Sequence, residues 1–170
     1  MQFTHLHTHS LYSLLTALPK IEELLARTRE LGMTTLALTD TSALYGAVEF
    51  QSKAKDFGIK AIIGAEIFVC KDLHSKNNTA EDRRRHQLVL LVKNQTGYKN
   101  LMKIISIAQL EGFYYKARAD KNLLRQYHEG LIALSGSLQG EVPSEIIYGN
   151  YARAKEAALE YQNIFGAGNF

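Results

Sequence analysis

Short apolar runs alternate with segments of helical periodicity along most of the chain. The stretch 34–40 is nearly continuous in apolar residues until its polar end, which is typical of a strand buried on both faces. In the stretch 97–110, Leu101, Ile104 and Ala108 recur at helical spacing. The predicted strands cover residues 2–7, 34–40, 59–69, 87–92 and 131–135. The predicted helices cover residues 19–31, 43–57, 97–110, 121–127, 142–148 and 152–165, and the polar stretch 72–85 is predicted to be a surface loop.

Strands that alternate with helices favour parallel βα units, either in an open doubly wound sheet or in a closed barrel. Neither G-x-G-x-x-G nor G-x-x-x-x-G-K occurs in the sequence, which removes the main support for a nucleotide-binding open sheet. In a TIM-like barrel, functional residues gather where the strands end. The polar residues at or near predicted strand ends are His7, His9, Asp40, Glu66 and Ser135. We therefore expect an α/β fold of the barrel type.

The number of predicted strands bears on how much of a domain the chain contains. Five predicted strands are too few to close a barrel of about seven or eight. We therefore expect residues 1–170 to be the N-terminal part of a single domain, truncated before its last strands.

Composition narrows the class of protein without deciding its function. The chain has 170 residues, 46% of them hydrophobic and 22% charged, with a formal net charge of +3. These values predict a folded domain with a core, and the mild basicity is weak evidence for a nucleic-acid partner. A single cysteine, no signal peptide and no apolar run of membrane length predict a cytoplasmic protein.

Three histidines alternate with other residues at His5, His7 and His9. In an extended strand, residues two apart point to the same face, so this pattern aims several imidazoles in one direction. Imidazole is the commonest protein ligand for transition metals, which makes the segment a candidate platform for zinc, manganese or iron. The alternatives are a tag-like histidine-rich start or structural histidines at the mouth of a barrel.

Other polar residues admit both a functional and a structural interpretation. Glu66 ends a buried strand, where a carboxylate is costly unless it is paired with a cation or bound to a metal. His86 follows three arginines and is either a ligand or a solvated loop histidine. Asp40 is more consistent with a cap on the following turn than with catalysis. His74 and His128 lie in polar surroundings and are expected to be exposed.

Basic and aromatic clusters assign no nucleic-acid-binding residue by themselves. The run 83–85 (RRR), together with Lys93, Lys99 and Lys103, is able to contact phosphates, but such a run is usually a solvated loop. The segment 113–115 (FYY) is able to stack on bases, but such aromatics more often pack a connector onto a domain. Cys70 is expected to be an ordinary half-buried thiol.

Several longer motifs are familiar. They are 5–10 (HLHTHS), 12–15 (YSLL), 36–40 (LALTD), 45–50 (YGAVEF), 58–60 (GIK), 62–66 (IIGAE), 86 (H), 90–94 (LLVKN), 97–98 (GY), 113–116 (FYYK), 130–136 (GLIALSG) and 140–143 (GEVP). In these motifs the chain resembles the PHP (polymerase and histidinol phosphatase) domain at the N-terminus of the bacterial replicative DNA polymerase III alpha subunit. The H-x-H pair indicates only the PHP superfamily, whereas the FYYK and SGxLxGEVP stretches are specific to the polymerase branch.

The resemblance implies a distorted (β/α)7 barrel with a metal cluster at one mouth. It implies His7, His9, Glu66 and His86 as residual metal ligands, with the final Asp and His ligands of the family beyond residue 170. Three usual ligands are replaced, because Thr16 stands for Asp, Thr41 for His and Ser137 for Cys. Hydroxyl groups are poor ligands beside carboxylates, imidazoles and thiolates, so zinc or manganese is expected only at a degenerate site.

The function implied by the resemblance is that of a module in a DNA-directed DNA polymerase, a nucleotidyltransferase of chromosomal replication. The eroded site implies a mainly structural role with no catalytic residue in this segment, while the parent polymerase uses Mg²⁺. The implied partners are the polymerase body of the same chain, replicase subunits such as the proofreading subunit, and DNA through the parent polymerase, with no membrane. The alternatives are an active metal-dependent phosphoesterase, either a proofreading 3'-5' exonuclease or a small-phosphate phosphatase, and a DNA-binding module.

Overall fold

The structure is a computed structural model that describes residues 3–170. Five strands are interspersed with helices in a mixed α/β fold. The strands are β1 (Thr35–Leu38), β2 (Lys60–Cys70), β3 (His86–Val92), β4 (Arg118–Asp120) and β5 (Leu131–Leu134). The helices are α1 (Ile21–Glu30), α2 (Ala47–Asp56), α3 (Ala80–Arg83), α4 (Gln95–Leu110), α5 (Lys121–Tyr127), α6 (Glu141–Ile147) and α7 (Tyr151–Phe165). The chain forms two compact units, Met1–Ala65 and Glu66–Phe170, and their boundary falls inside β2.

The first unit is built on the parallel pairing of β1 with the beginning of β2, which runs in register from Thr35 opposite Lys60 to Leu38 opposite Ile63. Helix α1 begins where the Lys20 amide donates to the Glu23 carboxylate, an acceptor that satisfies one of the free amides of the first turn. The apolar faces of α1 and α2 pack against β1 and the beginning of β2 in one core. Its buried members are Ile21, Leu25, Leu36, Leu38, Phe50, Ala54 and Ile59.

The second unit contains the end of β2, which pairs in parallel with β4. Strands β3 and β5 pair antiparallel, from Val89 opposite Leu134 to Val92 opposite Leu131. The prediction of exclusively parallel βα units is therefore wrong for this pair. The run 131–134 (LIAL) is apolar at every position, although only Leu131 and Ala133 are fully buried in β5. A continuous apolar run looks the same in sequence whichever way the neighbouring strand runs, so the pattern did not distinguish the two directions. A closed (β/α)7 barrel stays a prediction.

Two glycines explain how β5 begins close to helix α4. Gly130 has a positive φ of +75°, and a Cβ added at Gly97 would lie 1.9 Å from the Gly130 carbonyl oxygen. The backbones of the two segments therefore approach more closely than any side chain permits. The Lys93 amide donates to the same Gly130 carbonyl at 2.9 Å, which fixes the turn against β3.

Most predicted elements occur with shifts of a few residues at their ends. The strand predicted at 2–7 is present only as an isolated parallel bridge between His5 and Leu36, and Gln2 lies outside the described residues. Strand β4 was not predicted, because its three residues include two charged ones. The predicted loop 72–85 contains the short helix α3. In the part of the chain that the structure describes, no helix is both long and apolar enough to cross a membrane.

Candidate metal centre

His7 and His9 lie in the segment that runs beside β1. The Ala37 amide donates to the His5 carbonyl at 3.0 Å, and the Thr39 amide donates to the Thr8 carbonyl at 2.8 Å. The Nε2 atoms of His7 and His9 are 3.2 Å apart, and their ring centroids are 5.0 Å apart. The sequence prediction that alternate histidines converge is thus confirmed for this pair.

His5 does not share this arrangement. Its ring packs edge-on against Phe3, with centroids 4.8 Å apart and an interplanar angle of 85°. The described segment is not a regular strand at this point, so strict alternation does not carry through all three histidines.

Glu66 supplies an acidic group on β2, three positions after the last residue paired with β1. It is buried, with 3% of its surface exposed. One donor atom from each of His7, His9 and Glu66 lies within 4.8 Å of the others, which is the arrangement expected of a metal-binding group. Three of the four candidate ligands are therefore brought together.

The chemistry of these donors suits a first-row transition metal. At a zinc–nitrogen distance of about 2.0–2.1 Å, two imidazole nitrogens at a tetrahedral angle lie about 3.3–3.4 Å apart. The two Nε2 atoms of the histidine pair are 3.2 Å apart, which is close to that value and is also the distance of a hydrogen bond between the two imidazoles. Two imidazoles and one carboxylate also form a donor set that zinc, manganese and iron accept. The residues present fit one such ion.

His86 is not a member of this three-residue group. It begins β3, and its Nδ1 lies 3.3 Å from the Ser144 hydroxyl. Burial lowers the pKa of His86 below its ordinary value of 6.5, an effect that Glu141 opposes and Arg84 reinforces. His86 is thus held towards its neutral form, which is the form that binds metals.

His86 also lines a cavity of about 520 Å³ in the second unit. Salt bridges surround this cavity: Arg84 pairs with Glu145 at 2.9 Å, and Lys121 pairs with Glu141 at 2.9 Å. The cationic and anionic side chains on its wall largely neutralise one another, so the cavity has no marked preference for an anion or a cation.

The three residues that replace usual ligands are engaged in hydrogen bonds of the protein. The Thr16 hydroxyl donates to the Ser13 carbonyl at 2.8 Å. The Thr41 amide donates to the Ser13 hydroxyl at 3.1 Å. The Ser137 hydroxyl donates to the side-chain oxygen of Gln87. For Thr16 and Ser137 the hydroxyl itself contributes to local structure, which adds to its chemical weakness as a ligand.

The Asp40 carboxylate binds residues that lie far before it in sequence, whereas the sequence suggested that it caps the turn that follows it. Its carboxylate accepts from the Ser10 amide at 2.7 Å, from the Ser10 hydroxyl at 2.8 Å and from the Ser13 hydroxyl at 2.6 Å. All three side chains are almost fully buried. The sequence interpretation missed the two serines, and the available signal was their position in the loop that directly follows the histidines.

The basic and aromatic clusters are only partly engaged in contacts within the protein. Arg84 is in the salt bridge with Glu145, and the Arg85 guanidinium lies over the Phe68 ring at 5.8 Å. Tyr114 donates from its hydroxyl to the Asn78 side chain at 3.1 Å. Phe113 and Tyr115 are exposed. Buried Cys70 donates to the Ala119 carbonyl, and burial raises the pKa of its thiol to about 11, so the thiolate is disfavoured.

The described surface also carries His74 and His128, which the sequence predicted to be exposed. Both are exposed in the structure, and the Nδ1 of His128 lies 2.8 Å from the Arg125 carbonyl within its own helical turn. The prediction is confirmed for both.

The paired histidines with an acidic residue on a neighbouring strand agree with the comparison to known families. The sequence model of the PHP domain matches residues 5–170. The chain belongs to the PHP domain family. This confirms the resemblance seen in the motifs, and it extends over nearly the whole chain.

Within the PHP family, the similar curated relatives are large polymerase subunits. The chain is 43% identical over 171 residues to the DNA polymerase III subunit alpha of Treponema pallidum, covering 100% of this chain and 15% of that protein. It is 44% identical to the subunit of Helicobacter pylori strain J99 and 42% identical to that of Thermus aquaticus, covering 96% and 98% of this chain and 14% of each relative. This PHP chain therefore spans about a seventh of the length of these relatives.

Solved structures give more distant matches to this PHP chain. An amidohydrolase from Chromobacterium violaceum matches with a TM-score of 0.46 and 24% identity over 62% of this chain and 33% of that one. A putative metal-dependent phosphoesterase from Bifidobacterium adolescentis matches with a TM-score of 0.46 and 14% identity over 98% of this chain and 56% of that one. Neither match is close enough to bear on activity.

Proposed function

We propose that this chain is the PHP module of a DNA polymerase III alpha subunit, the DNA-directed DNA polymerase of chromosomal replication. In this proposal, residues 1–170 are the N-terminal part of one PHP domain and have a mainly structural role. Their partners are the polymerase body of the same chain and replicase subunits such as the proofreading subunit. DNA and Mg²⁺ interact with the parent polymerase rather than with a catalytic site in this segment.

The observation that carries the proposal is the identity with DNA polymerase III alpha subunits along nearly the whole chain. At 38–46% identity, eight such relatives align with between 84% and 100% of this chain. Similarity of this extent supports the polymerase branch of the PHP family over a stand-alone phosphatase.

The donor set supports a residual metal centre rather than a full hydrolytic cluster. His7, His9 and Glu66 would hold one ion, and His86 remains a further candidate ligand. A bound ion would supply Lewis-acid chemistry that activates water for phosphoester hydrolysis. The protein's own contribution is to present two imidazoles at a suitable separation and to hold an acidic group near them. With hydroxyls at positions 16, 41 and 137, the chain offers few ligands for a second or third ion.

Metal content and hydrolysis test the residual centre. The full chain is purified with and without added Zn²⁺ or Mn²⁺, and bound metal is measured by elemental analysis. Hydrolysis of a phosphodiester such as a short DNA strand is then followed with and without a chelator. The proposal expects about one equivalent of metal or less and no chelator-sensitive hydrolysis, and His9→Ala should abolish whatever metal is bound.

Two results would overturn the structural role. They are a metal content of about two or more equivalents, as in two-metal phosphoesterases, and chelator-sensitive hydrolysis that His9→Ala removes. Either result would favour an active PHP phosphoesterase, with a proofreading 3'-5' exonuclease distinguished from a small-phosphate phosphatase by its preference for DNA. The close approach of the two Nε2 atoms is the observation that keeps this alternative open.

The polymerase assignment is tested separately by primer extension. The full-length protein should incorporate nucleotides in the presence of Mg²⁺, and the double variant His7→Ala, His9→Ala should retain most of that activity. A complete loss of primer extension in a folded double variant would contradict a purely structural role for the centre. Absence of primer extension in the unmodified full-length protein would contradict the polymerase assignment itself.

A further inference from the structure

His9 is held from both sides by Thr39 and Asp40, the two residues that directly follow strand β1. On one side, Thr39 binds Thr8 through three hydrogen bonds. The Thr8 amide donates to the Thr39 hydroxyl at 2.8 Å, that hydroxyl donates to the Thr8 carbonyl at 3.0 Å, and the Thr39 amide donates to the same carbonyl at 2.8 Å. The residue immediately before His9 is therefore fixed to β1.

On the other side, Asp40 binds the residue immediately after His9. The Ser10 amide and hydroxyl both donate to its carboxylate, and the Ser13 hydroxyl donates as well. Ser13 in turn accepts from the Thr41 amide. Asp40 is 2% exposed and Ser10 is fully buried. A buried carboxylate that accepts several hydrogen bonds forms strong, charge-assisted contacts that resist exchange with water.

We propose that Thr39 and Asp40 are positioning residues for the candidate metal centre, which fix the backbone on both sides of His9 and so hold its imidazole beside that of His7. This inference rests on the residual centre proposed above. Two adjacent residues just after β1 thereby order the backbone around His9 without a metal. Preorganisation of this kind matters most where few ligands remain, because the ion itself then contributes less to ordering the loop.

The alternative role for Thr39 and Asp40 is a general contribution to the folding of the first unit. The two roles differ in what they affect. A general contribution would change every amide in the unit by the same factor. A positioning role accelerates exchange at Thr8 and Ser10 beyond the change that the whole unit shares, and it lowers metal affinity. Hydrogen exchange resolved to single amides separates them, with the Phe50 amide of α2, bonded to the Gly46 carbonyl at 2.8 Å, as an internal reference.

Three variants of the full chain and one control variant make up the test. Thr39→Val keeps the side-chain shape and removes only the hydroxyl that binds Thr8. Asp40→Ala removes all three carboxylate contacts. Asp40→Asn retains a side-chain carbonyl oxygen at the position that accepts from the Ser10 amide and the Ser13 hydroxyl, so it serves as the conservative rescue. Asp56→Asn, at the exposed end of α2, is the matched control.

We expect Thr39→Val to accelerate exchange at Thr8, and Asp40→Ala to accelerate exchange at Ser10, by at least about tenfold relative to Phe50, as when a protecting hydrogen bond is lost. Co²⁺ alone, followed by its visible absorption, should bind about tenfold more weakly to both variants. The exchange rates and Co²⁺ affinity of Asp40→Asn should be closer to those of the wild type than the values for Asp40→Ala. Asp56→Asn should match the wild type in both measurements.

Each other outcome decides the matter. Rapid exchange of Thr8 and Ser10 in the wild type, or an equal acceleration of Phe50, would overturn the positioning role. Unchanged Co²⁺ affinity in a folded Asp40→Ala variant would also overturn it. If the wild type binds no Co²⁺, the residual centre of the proposed function fails. In that case, exchange at Thr8 and Ser10 that is accelerated more than exchange at Phe50 in the variants would still support a backbone fixed by Thr39 and Asp40. Without such acceleration, the fixed backbone would be rejected as well.

Discussion

In each of the two compact units a buried charged side chain organises surrounding loops, Asp40 in the first and Arg118 in the second, and the two do so with opposite chemistry. In the first unit, the Asp40 carboxylate accepts hydrogen bonds from an amide and two hydroxyls. In the second unit, the Arg118 guanidinium is fully buried and donates to four backbone carbonyls. Within residues 3–170, no salt bridge is recorded for either side chain.

The carbonyls around Arg118 come from separate parts of the chain. Its Nε donates to Gly112 at 3.0 Å, and Nη1 donates to Asp82 at 2.7 Å. Nη2 donates to Leu73 at 3.2 Å and to Ser75 at 3.0 Å. One guanidinium thus ties the polar stretch 72–83 to the connector before β4. Its planar array of donors suits this role, since several carbonyls are satisfied at once.

The difference between the two networks concerns function. Asp40 acts on the residues that flank a candidate ligand, whereas none of the groups bound by Arg118 belongs to the His7–His9–Glu66 group. A buried charge is therefore not by itself a sign of a catalytic site, because burial is tolerated wherever enough hydrogen bonds satisfy the charge. The two sites differ in the backbone that each charge binds: Asp40 binds the residue next to His9, and Arg118 binds carbonyls away from the histidine pair.

The largest expected effect is on stability in the second unit. Arg118→Met keeps much of the side-chain volume but leaves several buried carbonyls without donors, so we expect a loss of about 3–5 kcal/mol in the free energy of unfolding. Urea denaturation of the full chain measures it. Arg83→Met changes an exposed arginine that directly follows Asp82 but whose side chain is not among these contacts, and it should shift stability by no more than about 0.5 kcal/mol. A loss below about 1 kcal/mol for Arg118→Met would contradict the role assigned to the guanidinium.

A somewhat smaller effect is expected from Asp40→Ala. The variant leaves the buried donors of Ser10 and Ser13 without their acceptor, and we expect a loss of about 2–4 kcal/mol, since bonds to a charged group are worth more than neutral ones. The same urea titration measures it, with Asp56→Asn as the control. If Asp40→Ala proved more destabilising than Arg118→Met, the ranking of the two networks would be reversed.

Low pH should destabilise the polar stretch that Arg118 holds, because the Asp82 carboxylate in this stretch becomes protonated. The hydrogen bond from the Ser75 hydroxyl, followed by those from Thr79 and Asn77, lowers the pKa of Asp82 below its ordinary value of 3.8. A carboxyl whose pKa is lowered by folding stabilises the protein above its unfolded pKa, and this contribution is lost as the pH falls through the folded value. The effect is therefore expected below about pH 4.

Comparison with Ser75→Ala isolates this contribution from other carboxylates. Between about pH 5 and about pH 3, the wild type should lose more of its free energy of unfolding than Ser75→Ala, because the variant lacks the main cause of the lowered pKa. Ser52→Ala, at an exposed position of α2, should behave as the wild type. Equal pH dependence in the wild type and Ser75→Ala would show that Ser75 does not stabilise the charged form.

The smallest expected effect comes from Asn94, a neutral side chain that binds backbone only three residues away, whereas Asp40 and Arg118 bind backbone that is distant in sequence. The Asn94 side chain accepts from the Gly97 amide at 3.0 Å at the start of α4. Asn94→Ala should cost about 1 kcal/mol, the usual loss on removing a helix N-cap. Thermal unfolding against Lys99→Ala, at an exposed position of the same helix, measures it. A cost as large as that of Asp40→Ala would mean that charge adds nothing to the buried networks.

Local sequence signals predicted much of the secondary structure. The α5 helix at 121–127 occurs with the predicted ends. The strands at 87–92 and 131–135 differ by one residue at one end, and the strand at 59–69 is shifted by one residue at both ends. These elements have clear apolar periodicity and nearby glycines or capping residues, which are properties of short segments. The convergence of His7 and His9 was predictable from their spacing of two residues, although the segment is not a regular strand and His5 does not join the pair.

The tertiary structure decided what local patterns do not encode. The antiparallel direction of β5, the assignment of 118–120 as a strand and the burial of Arg118 all depend on residues distant in sequence. The same holds for Asp40, whose partners Ser10 and Ser13 are about thirty positions away. A polar residue next to a buried strand looks alike whether it caps a turn or fixes a distant loop. The sequence by itself therefore determined the family, most helices and the histidine pair, whereas only the folded chain determined which charged side chains hold the backbone, since hydrogen-bond partners are chosen by proximity in space.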